Sequence, residues 1–358
     1  MTDVLIIGGG IAGISAAAAL SPHCDVTLLE AEDHLGYHAT GRSAAVFLQD
    51  YGNTVVRALN MASLPSLQAL TGVLSQKSFL LLGRPEERDD FLRDAAALGV
   101  SETSVDTARA MVPILNPGTC AYAAVRHDIW DLDTDLLLQT FLRAARDGGA
   151  ILRTGVRVKK VARHKGRWQV SDGVRQFGAD VLINAAGAWA DAVAIQSGVA
   201  PVGLQPLRRS MARIAAPAGL DVNSWPMMDG VGDRWYAKPD AGALLVSPGD
   251  ADPMPPQDAW ADDMVLAEGL ARYEEMVTTP VTRPLASWAG LRTFAPDQAL
   301  VIGRDPTLPQ FFWLAGQGGY GFQTCVAAAA LTAALITGHT PDLDASCVAA
   351  VSPARFVT

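Results

Sequence analysis

Val4-Leu5-Ile6-Ile7 is a short apolar run of strand type, and it meets Gly8-Gly9-Gly10-Ile11-Ala12-Gly13. Small apolar residues from Ile14 to Leu20 predict a helix, and Val26-Thr27-Leu28-Leu29 predicts a second strand ending at Glu30. Runs without polar alternation suit strands covered on both faces of a parallel sheet. The strand, glycine turn and helix pattern returns at residues 181–191, around Gly187, and at 311–323, where it leads into an Ala-rich helix. One nucleotide-binding unit assembled from separated segments accounts for all three.

The intervening segments read differently. Residues 57–110 read mostly as helices: Leu64, Leu67 and Leu70 have helical spacing, as do Phe91, Leu92 and Ala95. Ser63 is the expected N-cap of the first, with Pro65 in its first turn. Another helix is expected around Leu136 to Leu142, capped by Asp133 or Thr134. Residues 156–170 hold two strand-like runs split at Lys165-Gly166, a hairpin signal. From 204 to 288, short β-type runs (210–215, 235–238, 243–247) alternate with Pro/Gly/Asp turns and predict an antiparallel sheet. The Pro-rich stretch 253–259 reads as an exposed loop, and 264–276 as a helix.

Composition narrows the function. The chain has 358 residues, 49% hydrophobic and 18% charged, enough apolar surface for a large core. Its net charge of -9 repels phosphate backbones, so no nucleic-acid partner is expected. Cys24, Cys120, Cys325 and Cys347 lack metal or disulfide spacing, and no metal site is expected. The apolar run at 325–337 falls short of the roughly 20 residues a membrane helix needs. With no basic start before the first apolar run, a cytoplasmic enzyme without a transmembrane segment is the expectation.

Gly8, Gly10 and Gly13 form G-x-G-x-x-G in the context that gives the motif meaning. Gly8 permits the tight turn, Gly10 lets a pyrophosphate approach the backbone, and Gly13 lets helix and strand pack closely. The helix N-terminus offers free N–H groups and partial positive charge to phosphates. Glu30, 17 residues beyond Gly13, can accept from ribose hydroxyls and disfavours a 2′-phosphate. The motif does not separate NAD from FAD. The polar, small-residue loop from Gly36 to Ala45 does bear on it, since a plain NAD domain would continue into its next helix and strand.

Here the chain resembles the FAD-dependent D-amino-acid oxidase/glycine oxidase superfamily, and within it the bacterial D-arginine dehydrogenases. The matching stretches are Gly36-Tyr37-His38, Thr40-Gly41-Arg42-Ser43-Ala44-Ala45, Tyr51-Gly52, Asp133-Thr134-Asp135 and 184–189. Further on they are Leu204-Gln205-Pro206, Arg208-Arg209-Ser210, Trp225-Pro226-Met227, 238–242, Trp288-Ala289-Gly290-Leu291-Arg292 and 317–321. They run in order over nearly the whole chain. The resemblance implies an α/β fold: a Rossmann-like FAD-binding domain of the glutathione-reductase type, interleaved with an α+β substrate domain built on an antiparallel sheet. The FAD domain is expected at 1–45, 135–200 and 290–358, and the substrate domain at 46–134 and 201–289.

It also implies non-covalent FAD, held at the first glycine loop (with Ile11 and Ala12), at Glu30 and Ala31, and along the 40–45 loop. Val158 is expected to meet adenine through its backbone. Gly187 and the turn of Gly318, Gly319, Tyr320, Gly321, Phe322 and Gln323 complete the set.

Oxidising an α-amino acid at a flavin moves a hydride from Cα to N5. The protein must hold the carboxylate, aim the C–H and favour a neutral amine, and a guanidinium fork holds a carboxylate best. By the resemblance, Arg292 is the carboxylate clamp, Arg209 and Tyr236 line the same site, Tyr51 covers the substrate, and the Gly290 carbonyl meets the amine. Arg208 is the structural partner of Arg209. No general base is evident, so the rate is expected to rise as the substrate amine loses its proton.

Two departures from D-arginine dehydrogenase matter. Val46 replaces a histidine, and Phe79 stands where a glutamate grips the guanidinium. Phe cannot pair a buried cation, so a neutral, apolar substrate side chain is expected, unless Glu86 or Glu87 supplies the charge from a shifted loop. The expected reaction converts a D-amino acid to its imine, which water hydrolyses to a 2-oxo acid and ammonia, with oxygen or a quinone as electron acceptor. The alternative is another amine, an N-methyl or cyclic amino acid, or a 2-hydroxy acid as donor. A non-catalytic flavoprotein and an NAD-dependent dehydrogenase are more distant readings.

Overall fold

The computed structural model describes residues 2–357. Its first layer is a six-stranded sheet in the order Val301–Arg304, Phe311–Ala315, Val181–Asn184, Asp3–Ile7, Asp25–Leu29, Ile151–Arg153. All neighbours are parallel except Val301–Arg304 against Phe311–Ala315. Val4, Ile6 and Ile183 project to one face and meet the helices Ile11–Leu20, Thr134–Asp147 and Gly321–Thr337. Leu5, Ile7 and Leu182 project to the other, against Val161, Trp168 and Val170 of a three-stranded antiparallel sheet. Burial on both faces is why these strands read as unbroken apolar runs. The Lys165-Gly166 hairpin forms as expected, with both residues at positive φ between Lys160–His164 and Arg167–Ser171.

The second sheet has nine strands. Eight run in the order Ala286–Phe294, Gln205–Ala215, Ala243–Ser247, Tyr236–Asp240, Met227–Gly230, Leu74–Gly83, Tyr122–Leu132, Val46–Phe47, and Ser101–Thr103 pairs with Tyr122–Leu132. One pair is parallel, Met227–Gly230 with Leu74–Gly83. One face packs on the helices Val105–Met111 and Asp263–Glu275 through Leu80, Leu82, Met228, Ala237, Leu244 and Val246.

One expectation needs correction, and one strand goes beyond what the sequence predicted. Residues 57–110 are mostly helical, as expected, in Thr54–Ala69, Arg88–Leu98 and Val105–Met111, but the ten-residue strand Leu74–Gly83 runs between the first two through the middle of the large sheet. Its Phe79-Leu80-Leu81-Leu82 run is buried on both faces, Phe79 and Leu81 in one cluster and Leu80 and Leu82 in another. A continuous apolar run carries no period to distinguish strand from helix. The preceding helix begins at Thr54, not near Ser63, and Asn53 caps it by accepting from the Val56 N–H at 3.0 Å. Pro65 is therefore inside the helix, and Ser63 is buried, accepting at Oγ from the Ala327 N–H at 3.1 Å. Gly290 and Arg292 lie on the strand Ala286–Phe294 of the large sheet. Thr54–Ala69 packs on Gly321–Thr337 beside the six-stranded sheet.

Candidate active site

Gly8 ends the first strand at φ +114°, where a Cβ would lie 2.2 Å from the Ala185 carbonyl oxygen. A Cβ on Gly13 would lie 2.0 Å from the Gly8 oxygen, so the strand-to-helix turn admits no side chain there. Gly10 is the N-cap, and no side chain caps the helix. Ile11 N–H donates to Thr40 Oγ1 at 3.0 Å, which ties the 40–45 loop to this helix end. Glu30 is buried, and its carboxylate accepts from the N–H groups of Gly9 at 2.7 Å and Glu32 at 2.8 Å. It braces the glycine loop while still lining the cavity beside it.

That cavity, about 540 Å³, runs past Gly8, Gly10, Glu30 and Ala31, and reaches Val158 and Gly187. A second, of about 240 Å³, shares Gly10, Thr40, Arg42, Gly187 and Leu291 with it, so the two adjoin. Ile11, Ala12, Ser43, Ala44 and Ala45 line this second cavity, as do Gly318, Gly319, Gly321, Phe322 and Gln323. Gly13, Gly41 and Tyr320 line neither. Gly13 serves packing, and the Gly41 N–H donates to the Gly36 carbonyl at 2.6 Å. Tyr320 is buried, its hydroxyl donating to the Gln298 carbonyl at 3.2 Å.

The free face of the large sheet floors the second cavity. Arg209 pairs with Gly290, and Arg292 follows Gly290 by two residues, so all three share a face. Tyr236 pairs with Asp229, Asp229 with Leu81, and Met227 with Phe79. All five sequence-predicted substrate residues, Tyr51, Arg209, Tyr236, Gly290 and Arg292, line this one cavity. Tyr51 enters from the loop before Thr54–Ala69 and meets Tyr320 edge to face at 5.8 Å.

The two arginines differ. Arg209 donates to Asp233 Oδ2 at 3.0 Å and to the Asp250 carbonyl at 2.7 Å, and lies over the Tyr236 ring. Burial alone would lower its pKa, but the Asp233 carboxylate outweighs that and keeps it charged. Arg292 has no hydrogen bond or ion pair among the described residues, and it borders Gly319, where a Cβ would lie 3.4 Å from its Nη1. Arg208 points to the opposite face and pairs with Asp250 at 3.3 Å and Asp252 at 2.6 Å, the structural role expected of it.

The 40–45 loop is pinned from both sides. Arg42 donates to the carbonyls of Ala289 at 2.9 Å and Ala259 at 2.8 Å, and Lys238 Nζ donates to the Ala44 carbonyl at 2.8 Å and pairs with Asp131. The 253–259 loop is irregular, as expected, but Arg42 anchors it and Ala259 is buried.

A family model described as FAD dependent oxidoreductase matches residues 3–335. The chain belongs to that family. Among solved structures it is similar to glycine oxidase from Geobacillus kaustophilus (TM-score 0.83, 21% identity, 100% of this chain and 99% of that one). It is also similar to L-proline dehydrogenase from P. horikoshii (0.84, 22%, 99% and 97%). A third is L-α-glycerophosphate oxidase from Mycoplasma pneumoniae with FAD bound (0.82, 20%, 96% and 96%). The protein is thus an FAD-dependent oxidoreductase, and FAD is its cofactor. The residues present fit it: Gly8 and Gly13 exclude a Cβ, and Gly10 at the helix N-terminus lines a long cavity.

Sequence reasoning missed part of the site. Met211, Met227, Leu48, Asp229 and Asp233 also line the second cavity. Asp229 lies in a four-residue strand, too short to show a period. Glu86 and Glu87 do not line the cavity; they pair with Arg84 at 3.1 and 3.0 Å. Among the described residues no helix is long and apolar enough to cross a membrane, and no cluster could hold a metal.

Proposed function

We propose that this oxidoreductase converts a D-amino acid to its imine, which hydrolyses to a 2-oxo acid and ammonia. The observation that carries the reading is Arg292: a guanidinium without a partner among the described residues, lining a cavity that adjoins the nucleotide cradle. A substrate carboxylate supplies the missing partner, in a charge-assisted pair stronger than a neutral hydrogen bond. Arg209 and Tyr236 set the polarity beside it, Tyr51 covers the site, and the Gly290 carbonyl takes the amine. The D configuration rests on the resemblance to the D-arginine dehydrogenases, whose matching stretches run over nearly the whole chain.

FAD, when bound, would supply the hydride acceptor. Glu30, Ala31 and Val158 would hold its adenosine end, residues 10–12 its pyrophosphate, and residues 43–45 and 318–323 its ring. The substrate would then sit at the interface of the two interleaved lobes. Non-covalent attachment is favoured because His38 lines the adenosine-side cavity and bonds Glu32 at 3.1 Å, away from the proposed ring site. Acid denaturation then leaves the protein colourless and the supernatant yellow. Oxygen or a quinone reoxidises the flavin, in a cytoplasmic setting.

An anaerobic screen of D- and L-amino acids, glycine, amines and 2-hydroxy acids, following flavin absorbance, tests the assignment. Bleaching by D-amino acids is the expected result. Bleaching only by L-amino acids, amines or hydroxy acids would refute it, and reoxidation with air or a quinone identifies the acceptor.

A further inference from the structure

Phe79 argues for an apolar side chain on the substrate, but the cavity wall next to it contains an acid. Asp229 lies on the same sheet face as Met227 and Phe79, which pair with each other in register, and directly opposite Tyr236. It sits deep in the molecule and exposes surface to the cavity it lines. Oδ1 is sealed from solvent without a hydrogen bond, and no described donor reaches the other oxygen.

We propose that Asp229 is the far end of the substrate pocket and selects an amino acid whose side chain ends in a protonated nitrogen, an amine or a guanidinium. This rests on the amino-acid reading above.

Three observations support the assignment. A buried carboxyl left unbonded is destabilising; this one has no partner among the described residues, which leaves it open to a donor from outside the chain. The charges facing Asp229 favour a cation. Asp233 and Asp94 both add negative potential, and the opposing Arg209 is already engaged by Asp233 and the Asp250 carbonyl. The apolar wall is complementary to the remainder of such a ligand, because Phe79, Met211 and Met227 can cover a methylene stem while its charged end reaches the acid. Phe79 then contacts the stem, and the selecting charge comes from a different strand. Burial and the two neighbouring acids hold the empty-site carboxyl protonated well above the usual carboxylate range. A bound cation reverses that balance, so binding releases the proton from Asp229 to solvent.

The test compares D-lysine and D-arginine with D-norleucine, a neutral analogue of the lysine stem, by anaerobic flavin reduction. The wild-type enzyme should favour the basic substrates by at least about tenfold in kcat/KM. Asp229→Val should lower the ratio of kcat/KM for the basic pair to kcat/KM for D-norleucine by about a hundredfold. Asp229→Asn serves if the valine variant does not fold, and flavin content and melting temperature check both. Independently, mixing wild-type enzyme with D-lysine in weak buffer should release one more proton in the binding phase than mixing with D-norleucine, whose binding releases only the α-ammonium proton. Preference for D-norleucine, or an equal loss on all three substrates in the variant, would overturn the assignment of Asp229 alone. Bleaching by no amino acid would instead overturn the amino-acid reading on which it rests.

Discussion

Arg209 stands opposite Gly290 in register, diagonal to Arg292 on one sheet face, yet only Arg209 is already paired, to Asp233 at 3.0 Å. The two guanidiniums are therefore not interchangeable. Arg292 is free to take an incoming anion, and Arg209 keeps its orientation whether or not one is bound.

Arg292→Ala is accordingly expected to lower kcat/KM by about two to three orders of magnitude, mainly through KM, with flavin content unchanged. Arg292→Lys should recover only part of this, because an ammonium does not reproduce the planar fork. Steady-state kinetics across the three proteins checks it. An unchanged KM in the alanine variant would remove the carboxylate from Arg292.

Gly13→Ala addresses the cofactor cradle. The new methyl would lie 2.0 Å from the Gly8 oxygen, a backbone atom that moves only if the turn opens. The variant is expected to purify largely colourless, and its ratio of flavin to protein absorbance measures the loss. Gly10→Ala should be milder in the protein itself, since its Cβ meets only Thr40 Oγ1 at 3.1 Å, but it obstructs the helix end where the pyrophosphate belongs.

The sequence made the glycine cradle legible because its parts are local: strand, turn, helix and acid within thirty residues. Arg292 and Gly290 were legible only through resemblance, since nothing in the segment 286–294 announces which of its neighbours shares its sheet face. Leu74–Gly83 was missed because the part of it covered on both sides has no alternation to detect. Asp229 was invisible for a different reason. A lone aspartate before a glycine reads as a turn residue, and its burial depends on register with two strands distant in sequence.

The cysteines give a prediction that depends on packing alone. All four are free thiols and buried. Burial pushes the Cys325 thiol up to about 12 and the Cys120 thiol up to about 11, so neither supplies a thiolate at neutral pH. The native protein should leave an aromatic disulfide reagent essentially unreacted over minutes and release four equivalents only after denaturation. A fast thiol in the native state would locate an opening absent from this structure.

Asp229 also makes stability depend on pH in a direction opposite to most carboxylates. Its folded pKa is raised by burial first, then by Asp233 and Asp94. Between the unfolded value and the raised folded value the native state binds the extra proton. Stability contributed by the neutral form is therefore present at low pH and is lost as pH rises through that window. Asn cannot ionise, so Asp229→Asn should melt higher than wild type near neutral pH, and the gap should shrink toward pH 4. Saturating D-lysine should stabilise the wild type more than the variant, because only the aspartate offers the cation a counter-charge. Thermal melts across pH, with and without D-lysine under anaerobic conditions, measure both effects. A gap independent of pH would mean that Asp229 keeps an ordinary pKa in the folded protein.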